Sequence, residues 1–407
     1  MTEKIKVSHL FKIFGPQPEE ALKLAKEGVD KDEIYRQTGS VVAVNDVSFS
    51  VEEGEIFVVM GLSGSGKSTL IRCFNRLYEP TSGSVLLEDF DVTKASKKEL
   101  QKVRLRRMGM VFQHFALLPH RTVAENAAFG LKVRGLSARE RREKALEALE
   151  TVGLDAWADS YPANLSGGMR QRVGLARALA VEPEVMLMDE PFSALDPLIR
   201  REMQEQLLEI QSRIKSTIVF ITHDLGEALR LGTHIAIMKA GQIVQIGTPE
   251  EIVVEPAEQY VADFTEEVDR SRVLSFETVM EEPESVSQDT RAGDVAMREE
   301  VPGALGVYVV DKEGKPVGFL TMHALSEASD DTPVTDIMVD DFAQVRSDER
   351  LYDAFDRLDT PHLVAVVDEE GHLAGTVDPL GLYQHLEFQA EAPGDGEQQP
   401  EKAAQNE

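Results

Sequence analysis

The sequence predicts an α/β protein in two parts. A larger N-terminal domain is built on a largely parallel sheet, and a smaller α/β domain is made of two copies of one unit. Three observations predict this. Apolar strand-like runs alternate with helical stretches over residues 1–260. A glycine-rich loop follows one of those strands and opens a helix. VYVVDKEGKPVGFLTMHAL (307–325) matches VAVVDEEGHLAGTVDPLGL (364–382) nearly position for position.

Composition narrows the class. The 407 residues are 42% hydrophobic and 28% charged, enough apolar surface for the cores of two or three domains. The formal net charge of −29 repels phosphate backbones, which argues against general nucleic-acid binding. No apolar run approaches the roughly 18 residues needed to span a bilayer, and MTEKIKVSHL has no apolar signal region. Cys73 is the single cysteine, so no intrachain disulfide forms and a cytosolic compartment is expected. Any membrane role must come through a partner.

The elements follow in order. KVSHLFKIF reads as a strand. An insert over 15–40 then reads as two short helices: Pro18, Glu19 and Glu20 favour a first turn, Lys23 and Lys26 a last one, and Gly28 a C-cap. Asp30 and Glu33 have capping-box spacing for the second helix. Helices this short must dock, and Ala21, Leu22, Ala25, Ile34 and Tyr35 are the candidate docking residues. EIFVVMG, MGMVFQ, EVMLMDE, STIVFITH and HIAIMKAGQIVQIG supply the core strands, with a helical subdomain expected at about 112–180. A polar bridge is expected at 261–272, the two repeat copies at 273–330 and 331–387, and a disordered tail at 388–407.

Chemistry concentrates in the first domain. GLSGSGKS (61–68) fits G-x-x-x-x-G-K-[ST] at every fixed position, between a strand and a helix. Its glycines let successive N–H groups face phosphate oxygens at a helix N-terminus. Gly61, Ser63, Gly64, Ser65, Gly66, Lys67, Ser68 and Thr69 are therefore candidate nucleotide ligands. Lys67 would reach the β- and γ-phosphates and Ser68 would hold Mg2+. EVMLMDEP delivers two carboxylates at a strand end: Asp189 to hold Mg2+ through water, Glu190 as general base. His223 ends the next strand and would contact the γ-phosphate.

LSGGMRQR (165–172) is a second anion cradle at a helix start. Together with GLSGSGKS, VFQ, VMLMDEP, SALD and ITH, all in family order over roughly 5–250, it makes the chain resemble the ATPase subunits of ATP-binding-cassette (ABC) transporters. The resemblance implies a homodimer sandwiching two ATPs. Ser166, Gly167, Gly168 and Gln171 would then act on the partner's nucleotide, Asp196 of SALD would join the site, and Gln113 would touch Mg2+ and the attacking water. It also implies that the apolar surface over 112–131 receives a helix of a membrane subunit.

The insert, the sequence around both motifs and the C-terminal repeat are similar to the ATPase subunit of osmoregulatory glycine betaine/proline importers. That likeness implies a peripheral protein on the cytoplasmic face of the cell membrane, with two permease subunits and a substrate-binding protein. The repeat pair resembles tandem cystathionine-β-synthase-type (CBS) domains. Ala324 and Gly381 stand where nucleotide-binding copies carry a ribose aspartate, and Asp378 replaces a Ser/Thr. The pair is therefore expected to sense ionic strength or to scaffold, not to bind an adenosine nucleotide. Choline or carnitine transport, a soluble ABC ATPase of DNA repair or translation, and a nucleotide-binding module without turnover are the competing readings. Family cassettes stack adenine on an aromatic residue at the end of the first strand. Counting back from Gly61 reaches Tyr35, inside the insert. With the insert removed, the aromatic-Gly pair Phe14-Gly15 makes Phe14 the adenine platform.

Overall fold

The computed structural model describes residues 2–113, 116–193, 195–296, 306–360 and 362–382. The expected tail at 388–407 lies outside the described residues. The chain divides into two compact units, Met1–Thr265 and Glu266–Glu407.

The first unit holds two sheets. β1 (Glu3–Phe14), β2 (Val41–Glu52), β4 (Ser82–Leu87) and β5 (Phe90–Asp91) form an antiparallel sheet in the order β2-β1-β4-β5. β3 (Ile56–Met60), β6 (Met108–Val111), β7 (Val185–Asp189), β8 (Thr217–Ile221), β9 (His234–Lys239) and β10 (Gln242–Gly247) form the core sheet in the order β10-β9-β3-β8-β7-β6. Five of these strands are parallel, and only β10 returns antiparallel. β3, β7 and β8 are buried at every residue, which explains why their sequences are unbroken apolar runs rather than alternating ones. Cys73 is buried on the helix Lys67–Phe74, and burial pushes its thiol up to about 12, so it packs as an apolar residue.

The insert forms two helices, Pro18–Lys26 and Lys31–Thr38. Gly28 takes φ 78°, its N–H donates to the Ala25 carbonyl, and the Val29 N–H reaches back to Leu24, which closes the first helix in a Schellman turn. Asp30 caps the second helix by accepting from the Asp32 N–H, but the reciprocal half of the expected capping box is missing. Glu33 turns instead to Arg36 (2.8 Å) and Gln37 (2.8 Å). Ala21, Ala25 and Ile34 bury against Phe11, Ile13 and Val42, with Leu22 packed alongside. Tyr35 is not a docking residue: it is 57% exposed, because Ile34 takes the inward position of that turn.

The helical subdomain comprises helices at Val123–Ala127, Phe129–Val133, Ala138–Thr151 and Gly167–Leu179. Within the apolar stretch 112–131, Val123, Ala124, Ala127 and Leu131 fill its core while Phe129 stays exposed. The expected bridge at 261–272 is shorter than its composition suggests. A helix runs to Thr265 with Val261 and Ala262 buried in the first unit, and Ser271 is buried in the second.

The second unit repeats one topology. β11 (Ser285–Ser287) runs parallel to β12 (Val307–Val310), which pairs antiparallel with β13 (Pro316–Leu320). β14 (Gln344–Arg346), β15 (Val364–Val367) and β16 (Leu373–Val377) do the same. Each hairpin turns on an aspartate, Asp311 or Asp368, that accepts from two following N–H groups. Across the expected boundary near 330 the copies exchange segments. Leu274, Phe276 and Val279 pack with Val345, Leu351 and Val364 of the second copy, while Val334 joins the core of the first. A Cβ on Gly375 would stand 2.6 Å from the Met280 sulfur, and one on Gly318 2.4 Å from that of Met338, so each glycine makes room for the exchanged segment.

A charge cluster ties the two sheets of the first unit together. Lys4 of β1 bonds Glu88 (2.7 Å) and Glu184 (2.9 Å), and Arg107 bonds Glu184 (2.8 Å) and Glu88 (2.5 Å). The Lys4 hydrogen bond holds the Glu88 carboxyl below its ordinary 4.5, and the Arg107 hydrogen bond does the same for Glu184. Depressed carboxyls stabilise the fold above their unfolded pKa, and that contribution is lost as pH falls through the folded values. Below about pH 4.5, the melting midpoint of the wild-type chain should therefore fall more steeply than that of Glu184→Gln, by roughly 1–2 °C given the pair's partial exposure. Circular-dichroism melts across pH 3–6 check this.

Candidate active site

The site forms where the parallel strands end. After β3 the chain turns through Gly61, whose φ of 146° admits only glycine and where a Cβ would stand 2.1 Å from the Met238 carbonyl oxygen. Gly66, at φ 106°, packs against the Ala43 carbonyl just as tightly and caps the helix Lys67–Phe74. Ser63 and Gly64 are exposed at the loop tip, Ser65 is buried, and Ser68 and Thr69 lie half-buried in the first helical turn. The Lys67 ammonium folds into the loop and donates to the Gly61 (2.8 Å) and Leu62 (2.9 Å) carbonyls. Burial pushes its pKa down, opposed by the charges of Glu190 and Asp189. A desolvated cation inside a ring of backbone groups is suited to an incoming polyphosphate.

Asp189, the last residue of β7, is fully buried. One carboxylate oxygen takes two hydrogen bonds from Arg72, at 2.9 and 3.2 Å. Oδ1 is buried with no hydrogen-bond partner among the described residues. An orphaned carboxylate oxygen at the foot of the phosphate loop, with the Ser68 hydroxyl and Gln113 amide as further oxygen donors, fits a small hard cation such as Mg2+. Arg72 was not singled out by sequence reasoning. Its only signal there is helical spacing, four residues after Ser68 on the same face.

Glu190 follows at φ 46°, a left-handed conformation rare for a glutamate and tolerated where a site over-determines it. Its N–H is held by the Ile221 carbonyl at 3.1 Å. Its Oε2 accepts from the Gln113 amide at 3.1 Å and lies 3.2 Å from His223 Nδ1. Three residues far apart in sequence thus meet at one carboxylate oxygen. Behind His223, buried Glu227 accepts from the Thr222 hydroxyl (2.6 Å) and the Gln204 amide (3.3 Å), and desolvation raises its pKa. Arg200 pairs with Asp224 (3.1 Å) and donates to the Leu195 carbonyl, linking the His223 turn to the SALD turn. Sequence reasoning missed this network too.

Ser166 caps the helix Gly167–Leu179 by accepting from the Met169 N–H, and Gly167 and Gly168 open that helix. Among the described residues no hydrogen bond joins this cradle to the phosphate loop. Gln171 is buried, 1% exposed, with both amide atoms unpartnered among the described residues. Asp196 caps the helix Pro197–Ile214 through the Ile199 N–H. Phe14 ends β1, 38% exposed, edge-on to Tyr78 with the Lys12 ammonium 4.6 Å from its ring centre.

Comparison with known proteins agrees with this geometry. The ABC transporter family profile matches residues 44–193 and the CBS domain profile residues 334–382. The glycine betaine transport ATP-binding protein of Bacillus subtilis (strain 168) is 46% identical over 407 residues, covering 99% of this chain and 97% of that protein. This chain belongs to the ATP-binding proteins of ABC transporters. The glycine betaine/proline betaine transport ATP-binding protein of Salmonella typhimurium (strain LT2) is 45% identical, covering 95% of this chain and 98% of its own. A dimeric ATP-binding cassette solved in a post-hydrolysis state with ADP and Pi shares 31% identity, with a TM-score of 0.52 over 60% of this chain and 98% of that one. The ABC ATPase therefore carries its cassette in the first unit and a CBS domain in the second.

Replacing Arg72 by Met would strand the Asp189 carboxylate with no partner. Arg72→Met should lose about 2–4 kcal/mol of stability, and Arg72→Lys less, in denaturant melts of the first unit's transition.

Proposed function

We propose that this ABC ATPase powers uptake of a quaternary ammonium osmoprotectant of the glycine betaine class. Its partners are a second copy of itself, two membrane permeases and, indirectly, a substrate-binding protein. Among the described residues no helix is long and apolar enough to cross a membrane, so the membrane path belongs to the partners. The solute class rests on the near-full-length likeness to betaine transport ATP-binding proteins, since no residue here would touch the solute. A relative solved as a dimer, and a second anion cradle unconnected to the first, support ATP held between two copies, with Ser166, Gly167, Gly168 and Asp196 facing the partner's nucleotide.

The observation that carries the hydrolytic reading is the meeting of Gln113, Glu190 and His223. Adenine stacks on Phe14, and Gly61–Thr69 wrap the polyphosphate with Lys67 on the β- and γ-phosphates. Ser68, Gln113 and, through water, Asp189 would hold Mg2+, which when bound neutralises charge on the phosphate oxygens. Glu190 takes a proton from the attacking water as its oxygen bonds to the γ-phosphorus. The bond to the bridging oxygen breaks, and ADP leaves with the electron pair. Gln113 orients the water, and His223 donates toward the γ-phosphate.

Glu190→Gln should keep ATP binding and trap the ATP-bound dimer while turnover drops about 10²–10⁴-fold. Wild-type turnover would refute the assignment. Uptake by the reconstituted transporter with labelled glycine betaine, proline betaine, choline and carnitine tests the solute class. The CBS pair is proposed to sense ionic strength. Deleting 270–407 should flatten the salt dependence of ATPase activity in the reconstituted transporter, and an unchanged salt curve would reject sensing.

A further inference from the structure

Arg72 meets Asp189 in an uncommon way. A guanidinium fork usually engages a carboxylate across both of its oxygens. Here the Arg72 Nε (3.2 Å) and Nη2 (2.9 Å) both donate to Oδ2. Oδ1 is left buried with no hydrogen-bond partner among the described residues. A stranded oxygen of this kind costs stability, and it calls for a ligand that the side chains do not supply.

Tyr78 holds the fork in that orientation. The third arm of the guanidinium, Nη1, donates to the Tyr78 hydroxyl at 3.3 Å, and the guanidinium carbon lies 5.7 Å from the centre of the Tyr78 ring. Local backbone sets this pairing. Past the end of the helix Lys67–Phe74, Asn75 Oδ1 accepts from the Leu77 N–H at 3.1 Å, and Arg76 takes φ 52°. The chain so turned brings the Tyr78 N–H back to the Arg72 carbonyl at 3.0 Å.

The residues after Tyr78 are pinned to β1. The Lys12 ammonium donates to the Glu79 carbonyl at 2.9 Å, and the Thr81 N–H to the Phe11 carbonyl at 2.8 Å. Phe14, at the end of the same strand, meets the Tyr78 ring edge-on with centres 5.3 Å apart. Packing against Phe14 asks only for a ring, whereas the hydroxyl serves Arg72. Phe14, Tyr78, Arg72 and Asp189 therefore form one connected row of side chains across the nucleotide site.

We propose that Tyr78 and Arg72 are positioning residues: braced by Phe14, Tyr78 holds the Arg72 fork on Oδ2, which leaves Asp189 Oδ1 presented to the divalent cation that accompanies the nucleotide. This rests on the reading of Asp189 as a cation-holding carboxylate. It assigns a task in cation binding to a helix whose first turn serves the phosphates.

Titration of the full-length chain with the non-hydrolysable ATP analogue AMP-PNP, in excess Mg2+ and in EDTA, tests it. The quantity read is the gain in affinity that Mg2+ gives. Tyr78→Phe keeps the ring and removes the acceptor; it should shrink that gain about three- to tenfold and leave the affinity in EDTA within about twofold of wild type. Arg72→Lys keeps the charge but loses the fork, and should shrink the gain at least as much. The double variant should lose no more than Arg72→Lys alone, because Tyr78 acts through Arg72. An undiminished gain in Tyr78→Phe overturns the proposal. So does an equal loss in EDTA, which marks damage to the nucleotide site as a whole, and so do losses that multiply in the double variant. If Asp189→Asn keeps the full gain, the reading of Asp189 fails first and the proposal falls with it.

Discussion

The main-chain ladder that holds β6, β7, β8, β3 and β9 parallel is the constraint on which the site depends. Parallel strands deliver all their C-termini to one edge, and each loop leaving that edge starts beside its neighbours. Gly61 follows β3, Gln113 follows β6, Asp189 and Glu190 close β7, and His223 follows β8. No local interaction could gather residues 61, 113, 190 and 223. The sheet does so through register, with Asp189 opposite Ile221 and Val111 opposite Met188. The left-handed Glu190 then swings its carboxylate between the Gln113 amide and the His223 ring.

Much of this is legible in the chain because the information is local. A phosphate loop needs glycine at fixed spacing, a buried parallel strand needs a continuous apolar run, and a Schellman turn needs its glycine. Contacts between elements are less legible. Nothing in the sequence says that Arg72, on the phosphate helix, reaches the buried Asp189, or that Gln171 turns inward while its neighbour Ser166 faces outward. The insert shows both sides: its helices and most of its docking residues follow from pattern, yet Ile34 and Tyr35 are adjacent apolar residues and only one can face the core. The Glu33 carboxylate had two helical neighbours in reach as well as the cap, and it took those.

The C-terminal unit shows the same limit at larger scale. The repeat fixes each hairpin, since Asp311 and Asp368 shape equivalent turns. It cannot say which core the intervening apolar residues join. Leu274 and Phe276 open the first copy and pack in the second, and Val334 opens the second copy and packs in the first. Interlocked in this way, the copies form one folding unit. The glycine–methionine contacts at the exchange also give Gly318 and Gly375 a packing reason, independent of any nucleotide.

The central claim is that Glu190 and His223 act as one hydrogen-bonded unit because the sheet brings them to one edge. A double-mutant cycle on steady-state ATP turnover, with Glu190→Gln, His223→Ala and the double variant, tests it most directly. The account predicts strong non-additivity, with the double variant losing little more than the slower single. Losses that multiply would show two independent groups and contradict it.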